Sequence, residues 1–258
     1  MINSSKRTEC PKCMRAQKAC ICDCIVSILP AVEIGILQHP SEQKQSKGTA
    51  RLAALSVKNA KLWVGELVTN AVLSVSHGQV VETPVMSKDS LAQWISQKTT
   101  LLLYPETDEV LDTTVLDSNL SDSGIMQNSF QGMPVNKQLP AGKVCKVSEI
   151  NQLNGDFQVL VLDGTWRKTH KMLMLNPILQ VLPRIAIFPT KASSYHIRKQ
   201  KNNQSLATIE AIAELIQMLE PEASNAERLH TAFDKMQQFL LSLRAKSHSH
   251  QQVRKEES

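Results

Sequence analysis

The sequence predicts an α/β fold, a largely parallel sheet flanked by helices, with a small cysteine-rich knuckle at its N-terminus. Three observations carry this. Short apolar runs alternate with stretches of helical composition, the pattern of repeated strand–helix units. Some runs are continuously apolar, as in residues 157–162 (FQVLVL), which marks strands covered on both faces. The composition is that of a globular protein, with 258 residues, 42% hydrophobic and 21% charged. That excludes a wholly disordered chain and supplies material for a real core.

The knuckle comes first. Cys10, Cys13, Cys20, Cys22 and Cys24 are five of the six cysteines. Two close pairs separated by a short loop can wrap one tetrahedral ion, and zinc is the usual occupant of thiolate sites. Cys10, Cys13, Cys20 and Cys22 are the expected ligands, with Cys24 open as a substitute and Cys145 a bystander. Lys12, Arg15 and Lys18 lie among the cysteines, where positive charge offsets the thiolates. A disulfide cluster would need an oxidising compartment, for which the sequence carries no signal. A thioredoxin-like CxxC would need a βαβ context. Residues 1–30 therefore read as a zinc-binding segment ahead of a main domain over 31–244.

Within that domain, residues 31–38 (AVEIGILQ) read as a strand ending at His39-Pro40, and 41–48 as a polar stretch. Residues 49–57 have helical composition, and 61–67 (KLWVGEL) look like a second strand. Ser87-Lys-Asp-Ser precedes Leu91, Trp94 and Ile95, a capped amphipathic helix. Residues 99–104 (TTLLLY) form a buried strand stopped by Pro105. Residues 106–152 are mostly polar and read as a surface insertion, partly disordered. Regular structure resumes with the strand at 157–162, a basic helical stretch at 167–175, and a strand at 184–188 (RIAIF) ended by Pro189. Leu206, Ile209, Ile212, Ala213 and Ile216 mark a helix over 205–219, and a second follows at 225–243. The polar residues 245–258 read as a flexible tail.

No apolar run reaches the roughly 18 residues needed to span a membrane. The N-terminus lacks an apolar signal region, so a cytoplasmic location is expected. A formal charge of 29 − 24 = +5 permits an anionic partner such as nucleic acid. No GxGxxG or GxxxxGK[ST] occurs, which disfavours common dinucleotide and P-loop sites, and GxSxG and HExxH are absent too.

In open α/β sheets, ligands bind beyond the carboxyl ends of the strands. Three such ends carry unusual residues: Tyr104-Pro105-Glu106, Asp163-Gly164-Thr165-Trp166, and Phe188-Pro189 leading into residues 193–199 (SSYHIRK). A carboxylate at a buried strand's end, followed by Gly and a hydroxyl residue, suits a ligand approached closely by backbone. Burial makes such a carboxylate a useful proton acceptor. The alternative that Asp163 caps the following helix stays open, as does a core role for Trp166 and Tyr195. Basic residues cluster at Lys44, Lys47 and Arg51, at Arg167, Lys168, His170 and Lys171, and at Arg198, Lys199 and Lys201. Brought together they would make a phosphate-binding rim; apart, they are a solvated surface.

The string Leu162-Asp163-Gly164-Thr165-Trp166, followed by Lys171-Met172, resembles the hallmark of the DTW-domain family. Other segments resemble the same family in the same order. The opening CxxC…CxC corresponds to Cys10, Cys13, Cys20 and Cys22. Next come His39-Pro40, Lys44, Ser46, Thr49, Arg51 and Leu52, then the strand ending in Tyr104-Pro105. Ser193, Tyr195, Ile197 and Arg198 are followed by Thr208, Ile209 and Glu210. The likeness runs from Cys10 to Leu219, and five ordered motifs are far more specific than one. The insertion at 106–152 and the additional Cys24 depart from the family pattern.

This resemblance implies a Rossmann-like, SPOUT-related fold in which 31–244 is the catalytic domain. It also implies a tRNA-uridine aminocarboxypropyltransferase. Such an enzyme moves the 3-amino-3-carboxypropyl group of S-adenosylmethionine to N3 of a variable-loop uridine in tRNA, releasing 5′-methylthioadenosine. The competing readings are a SPOUT-type RNA methyltransferase using the same cofactor, and a non-catalytic zinc-containing RNA-binding module. Under the resemblance, Asp163 is the base for uridine N3. Leu103, Tyr104, Pro105, Leu162, Gly164, Thr165, Trp166, Tyr195, Arg198 and Thr208 hold the cofactor. Arg198 and the amides around 164–166 receive its carboxylate. Lys44, Thr49, Arg51, Arg167 and Lys171 position the RNA, and Zn2+ is structural. The expected partner is tRNA, with no DNA and no membrane; a monomer is favoured, the oligomeric state being open.

Overall fold

The protein is described by a computed structural model covering residues 8–81, 90–105, 139–153, 155–187, 193 and 206–256, with side chains as far as residue 245. The strands are β1 (Glu33–Gln38), β2 (Ala60–Val64), β3 (Val72–Ser76), β4 (Gln79–Val80), β5 (Thr99–Leu103), β6 (Phe157–Asp163) and β7 (Arg184–Ile185). Among the described residues these seven form one sheet in the order β4-β3-β2-β1-β6-β5-β7. β2, β1, β6, β5 and β7 run parallel, while β3 and β4 add an antiparallel edge. The chain winds outward from β1 through β2, then returns to build β5, β6 and β7 on the other side. The switch in winding therefore falls between β1 and β6, where Gln38 pairs with Asp163.

Helices α1 (Ala50–Ser56), α2 (Leu91–Gln97), α3 (Val147–Asn151), α4 (Trp166–Leu175), α5 (Pro177–Val181), α6 (Thr208–Leu219) and α7 (Asn225–Glu256) cover the sheet. Every residue of β6 is buried, as its unbroken apolar run predicts. Alternation sends Phe157, Val159 and Val161 into a larger core with α1, α6 and α7, and Leu160 and Leu162 into a smaller one with α2, α4 and α5. Gly35 of β1 faces that smaller core, where a Cβ would come within 2.6 Å of the Trp94 ring. The cap before α2 forms as expected, with Ser90 Oγ accepting from Gln93 N at 3.2 Å.

Several elements depart from the sequence expectation. The β3–β4 hairpin turns at His77 and Gly78, both with positive φ (51° and 71°), the pairing that lets a two-residue turn follow strand twist. Residues 106–138 of the expected insertion lie outside the described residues, and 139–153 are mostly exposed or half-buried. Leu139, Cys145 and Ile150 are buried there, and Val144 bridges Arg184 at the sheet edge. β7 is only Arg184–Ile185; Phe188 and Pro189 lie outside the described residues. α7 is helical to Glu256, through a stretch free of Gly and Pro.

The cysteine-rich segment packs into the larger core through Cys10, Cys13, Ile21, Cys24 and Ile28. Arg15 fastens it further, donating to the carbonyls of Ser46 (2.8 Å) and Gly48 (2.6 Å) in the loop after β1.

Candidate active site at the carboxyl ends of the strands

In the knuckle, Cys10 and Cys22 bring their sulfurs to 3.5 Å, Cys13 and Cys20 to 3.8 Å, and all four lie within 4.8 Å of one another. Sulfurs around a tetrahedral zinc with bonds of about 2.3 Å sit roughly 3.8 Å apart, so the spacing fits zinc. A disulfide needs about 2 Å, and the six cysteines are free. The amide of Cys13, helped by that of Lys12, holds the Cys10 thiol down to about 6, against the effect of burial. Burial pushes Cys20 and Cys22 up. Cys24 is buried in the core outside this set of four close sulfurs. The four sulfurs can hold a structural metal ion.

At the switch point, Asp163 is 7% exposed. Its Oδ2 accepts from Gln38 Nε2 at 2.8 Å, and its Oδ1 accepts from the hydroxyl of Thr208, the first residue of α6. The helix after β6 is instead N-capped by Thr165, without a side-chain bond, so Asp163 does not serve as its cap. Gly164 lets the chain turn closely: a Cβ there would lie 3.1 Å from Lys168 Cβ and 3.7 Å from His39 Cβ.

Two buried polar atoms have no hydrogen-bond partner, Oε1 of Gln38, beside this carboxylate, and Nη1 of Arg51. The Gln38 amide cannot flip to relieve this, because its nitrogen must face the Asp163 carboxylate. Both residues line a cleft of about 530 Å³ between the knuckle and the loop after β1. Buried polar groups in folded proteins are overwhelmingly partnered. Two exceptions in one cleft suit a ligand offering both a donor and an acceptor.

Around this centre the expected residues separate by face. Leu103 lies on the larger-core side, with Asp163 and Thr208 at the ends of elements that pack there. Tyr104 and Leu162 lie on the other side. There Trp166, 57% exposed, stacks on Tyr104 with ring centroids 5.3 Å apart and planes 23° from parallel, and Arg184 lies 5.5 Å over the Tyr104 ring. Pro105 follows Tyr104 directly. Thr49 is buried, and its Oγ1 accepts from Ile209 N at 3.3 Å, tying α1 to the start of α6. Arg51 is buried too, donating from Nη2 to Ser74 Oγ at 3.2 Å. Lys44 is exposed at the mouth of the cleft, and Arg167 is exposed in the first turn of α4. Tyr195 and Arg198 lie outside the described residues.

A partly exposed ionic group lies on the segments after β1, β2 and β6. Glu66 Oε1 meets Lys171 Nζ at 2.7 Å and His39 Nε2 at 3.1 Å. Lys168 Nζ meets Glu42 Oε1 at 2.6 Å. The hydrogen bond from Lys171, then that from His39, holds Glu66 below the usual carboxylate range. Gln38 is the site residue that sequence reasoning missed; a single glutamine at a strand's end carries no signal until its partners are known.

A buried carboxylate at the switch point of a largely parallel sheet, with a four-thiol N-terminal segment that could hold a metal, marks a mixed α/β protein. The chain belongs to the DTW domain family, which matches it over residues 7–241. It is similar to the tRNA-uridine aminocarboxypropyltransferase 2 of Drosophila melanogaster, 24% identical over 220 residues that cover 84% of this chain and 68% of the fly protein. It is also similar to the protein of that name from Mus musculus, 23% identical over 223 residues, covering 84% of this chain and 58% of the mouse protein. The chain thus spans little more than half the length of the mouse relative. No solved structure matches it at a significant level. Among the described residues, no helix is long and apolar enough to cross a membrane.

Proposed function

We propose that this chain is a tRNA-uridine aminocarboxypropyltransferase that uses S-adenosylmethionine and modifies N3 of an unpaired uridine in the variable loop. The observation that carries this reading is Asp163: inside the family's hallmark string, buried at the switch point, and bound to Gln38 and Thr208 instead of capping a helix. The printed names of the relatives support the same activity. The parallel sheet and its switch point fit the Rossmann-like, SPOUT-related architecture that goes with it.

In the reaction, uridine N3 forms a bond to the γ-carbon of the amino-acid arm. The bond from that carbon to sulfur breaks, its electron pair neutralises the sulfonium, and 5′-methylthioadenosine leaves. The N3 proton goes to Asp163. Gln38 and Thr208 satisfy both carboxylate oxygens, which holds the base in one orientation and offsets its removal from water. N3 lies on the Watson–Crick edge, so the base must be unpaired and turned outward, which favours a single-stranded loop.

Leu103, Tyr104, Pro105, Leu162, Gly164, Thr165, Trp166 and Thr208 border the space for the donor, and Tyr195 and Arg198 complete the expected set. Lys44, Arg167 and Lys171, all exposed, suit contacts to the RNA backbone. The knuckle holds Zn2+ on Cys10, Cys13, Cys20 and Cys22 as a structural ion. A cytoplasmic site of action goes with a tRNA substrate.

Incubation with unmodified tRNA and S-adenosylmethionine, followed by mass spectrometry of the nucleosides and the small-molecule product, tests this. An aminocarboxypropylated uridine with methylthioadenosine is expected. S-adenosylhomocysteine in its place would mean methylation, and an unchanged tRNA would leave a binding module.

A further inference from the structure

We infer that Arg51 and Gln38 form a clamp for the α-amino-acid zwitterion of the donor, on the floor of the cleft between the knuckle and β1. The inference rests on the transferase reading above and gives the carboxylate of the transferred arm to Arg51, in place of the Arg198 that the family resemblance implies. Arg51 is 7% exposed and Gln38 3% exposed, yet Arg51 Nη1 has no acceptor and Gln38 Oε1 has no donor. Both side chains are held in place, Arg51 by Ser74 Oγ and Gln38 by the Asp163 carboxylate. An α-carboxylate supplies what Arg51 lacks, and the α-ammonium on the same carbon supplies what Gln38 lacks.

An RNA phosphate fits less well. It would suit Arg51 and the exposed Lys44 and Lys18, which also line the cleft. It brings no donor for Gln38 Oε1, however, and Glu9 and Glu42 on the same cleft add negative charge that works against it. The clamp also has a chemical consequence. The sulfonium bears several electrophilic carbons, and orientation decides which one a nucleophile reaches. With ammonium and carboxylate both held, the arm is anchored at the residue that binds Asp163 at 2.8 Å. Held in this way, the arm and not the methyl would be the part of the donor presented to the base.

Calorimetric titration of the full, metal-loaded chain with S-adenosylmethionine, S-adenosylhomocysteine and 5′-methylthioadenosine tests the clamp, because the last lacks the amino-acid arm. Arg51→Met and Gln38→Met should each weaken the first two by about 10- to 100-fold, the loss expected for a hydrogen bond to a charged group, and leave the third within about twofold. Arg51→Lys, which keeps the charge but loses the fork, should fall between Arg51→Met and the native protein. A variant that is merely misfolded would lose all three ligands in parallel, and such a parallel loss in both variants overturns the clamp. So does a drop in tRNA affinity with S-adenosylhomocysteine binding intact, the result a phosphate site would give. Failure of the native chain to bind any of the three ligands removes the transferase reading itself, and the clamp with it.

Discussion

Around the end of β6, the buried Asp163, Gln38 and Arg51 and the far more exposed Glu66 and Lys171 use similar chemistry under different solvation. Glu66 and Lys171 have side chains 33% and 59% exposed, so water can replace any contact either one loses. Their pairing ties the segment after β2 to α4, so the fold itself satisfies both charges. In the buried group, water is not available to stand in. There the unmet atoms of Gln38 and Arg51 mark a place where the fold by itself is incomplete. A charged cluster that is exposed and fully paired argues for fastening; one that is buried and left short argues for binding.

The largest expected effect falls on the buried side. Asp163→Asn keeps the size of the side chain but removes the base, and single-turnover transfer should fall roughly 10²- to 10⁴-fold with tRNA affinity nearly unchanged. Activity close to native would make the buried group a structural one and erase the contrast. Cys13→Ser comes next, because Cys13 is a wholly buried member of the sulfur set and also lines the cleft. Metal analysis should show the ion lost, and urea unfolding should show a stability loss of about 3–5 kcal/mol, since metal-binding free energy is folding free energy here.

Thr49→Ala is smaller. It leaves the Ile209 amide without its acceptor and should cost about 1–2 kcal/mol in the same unfolding assay, with Thr49→Ser restoring most of it. The smallest effect lies on the exposed side. Lys171→Ala should produce no resolvable change in Tm, while NMR titration should show the Glu66 carboxyl rising toward its ordinary value. Because Glu66 titrates below its unfolded value, its pairing supports the fold above the ordinary glutamate range. That support is lost as pH falls through the depressed value, and added salt weakens it too. A large destabilisation in Lys171→Ala would mean the exposed group carries the fold after all.

Much of the sheet was legible because its signals are local. FQVLVL announces a strand buried on both faces through the run itself, and Ser90 announces the start of α2 by preceding Leu91, Trp94 and Ile95. Cysteine spacing marked the knuckle in the same way. The hairpin at His77-Gly78 was missed because histidine is an unusual residue to hold the left-handed position there. Residues 139–153 looked like part of a polar excursion because their buried side chains, Leu139, Cys145 and Ile150, sit among Pro, Gly, Lys and Ser. Asp163 had two readings, cap or site; Thr165 stands as the N-cap of α4, and Asp163 accepts from Gln38, 125 residues away in the chain.

By itself the sequence determined the strand–helix alternation, the four-cysteine knuckle and the position of Asp163 at a strand's end. Each is written in residue period or spacing over a few turns of chain. Only the tertiary structure decided which face of the sheet each site residue serves, that Thr49 and Arg51 turn inward, and that Gln38 stands between Asp163 and an open cleft. Those are matters of which distant residue supplies a hydrogen-bond partner, and of which finds none, once water has been shut out.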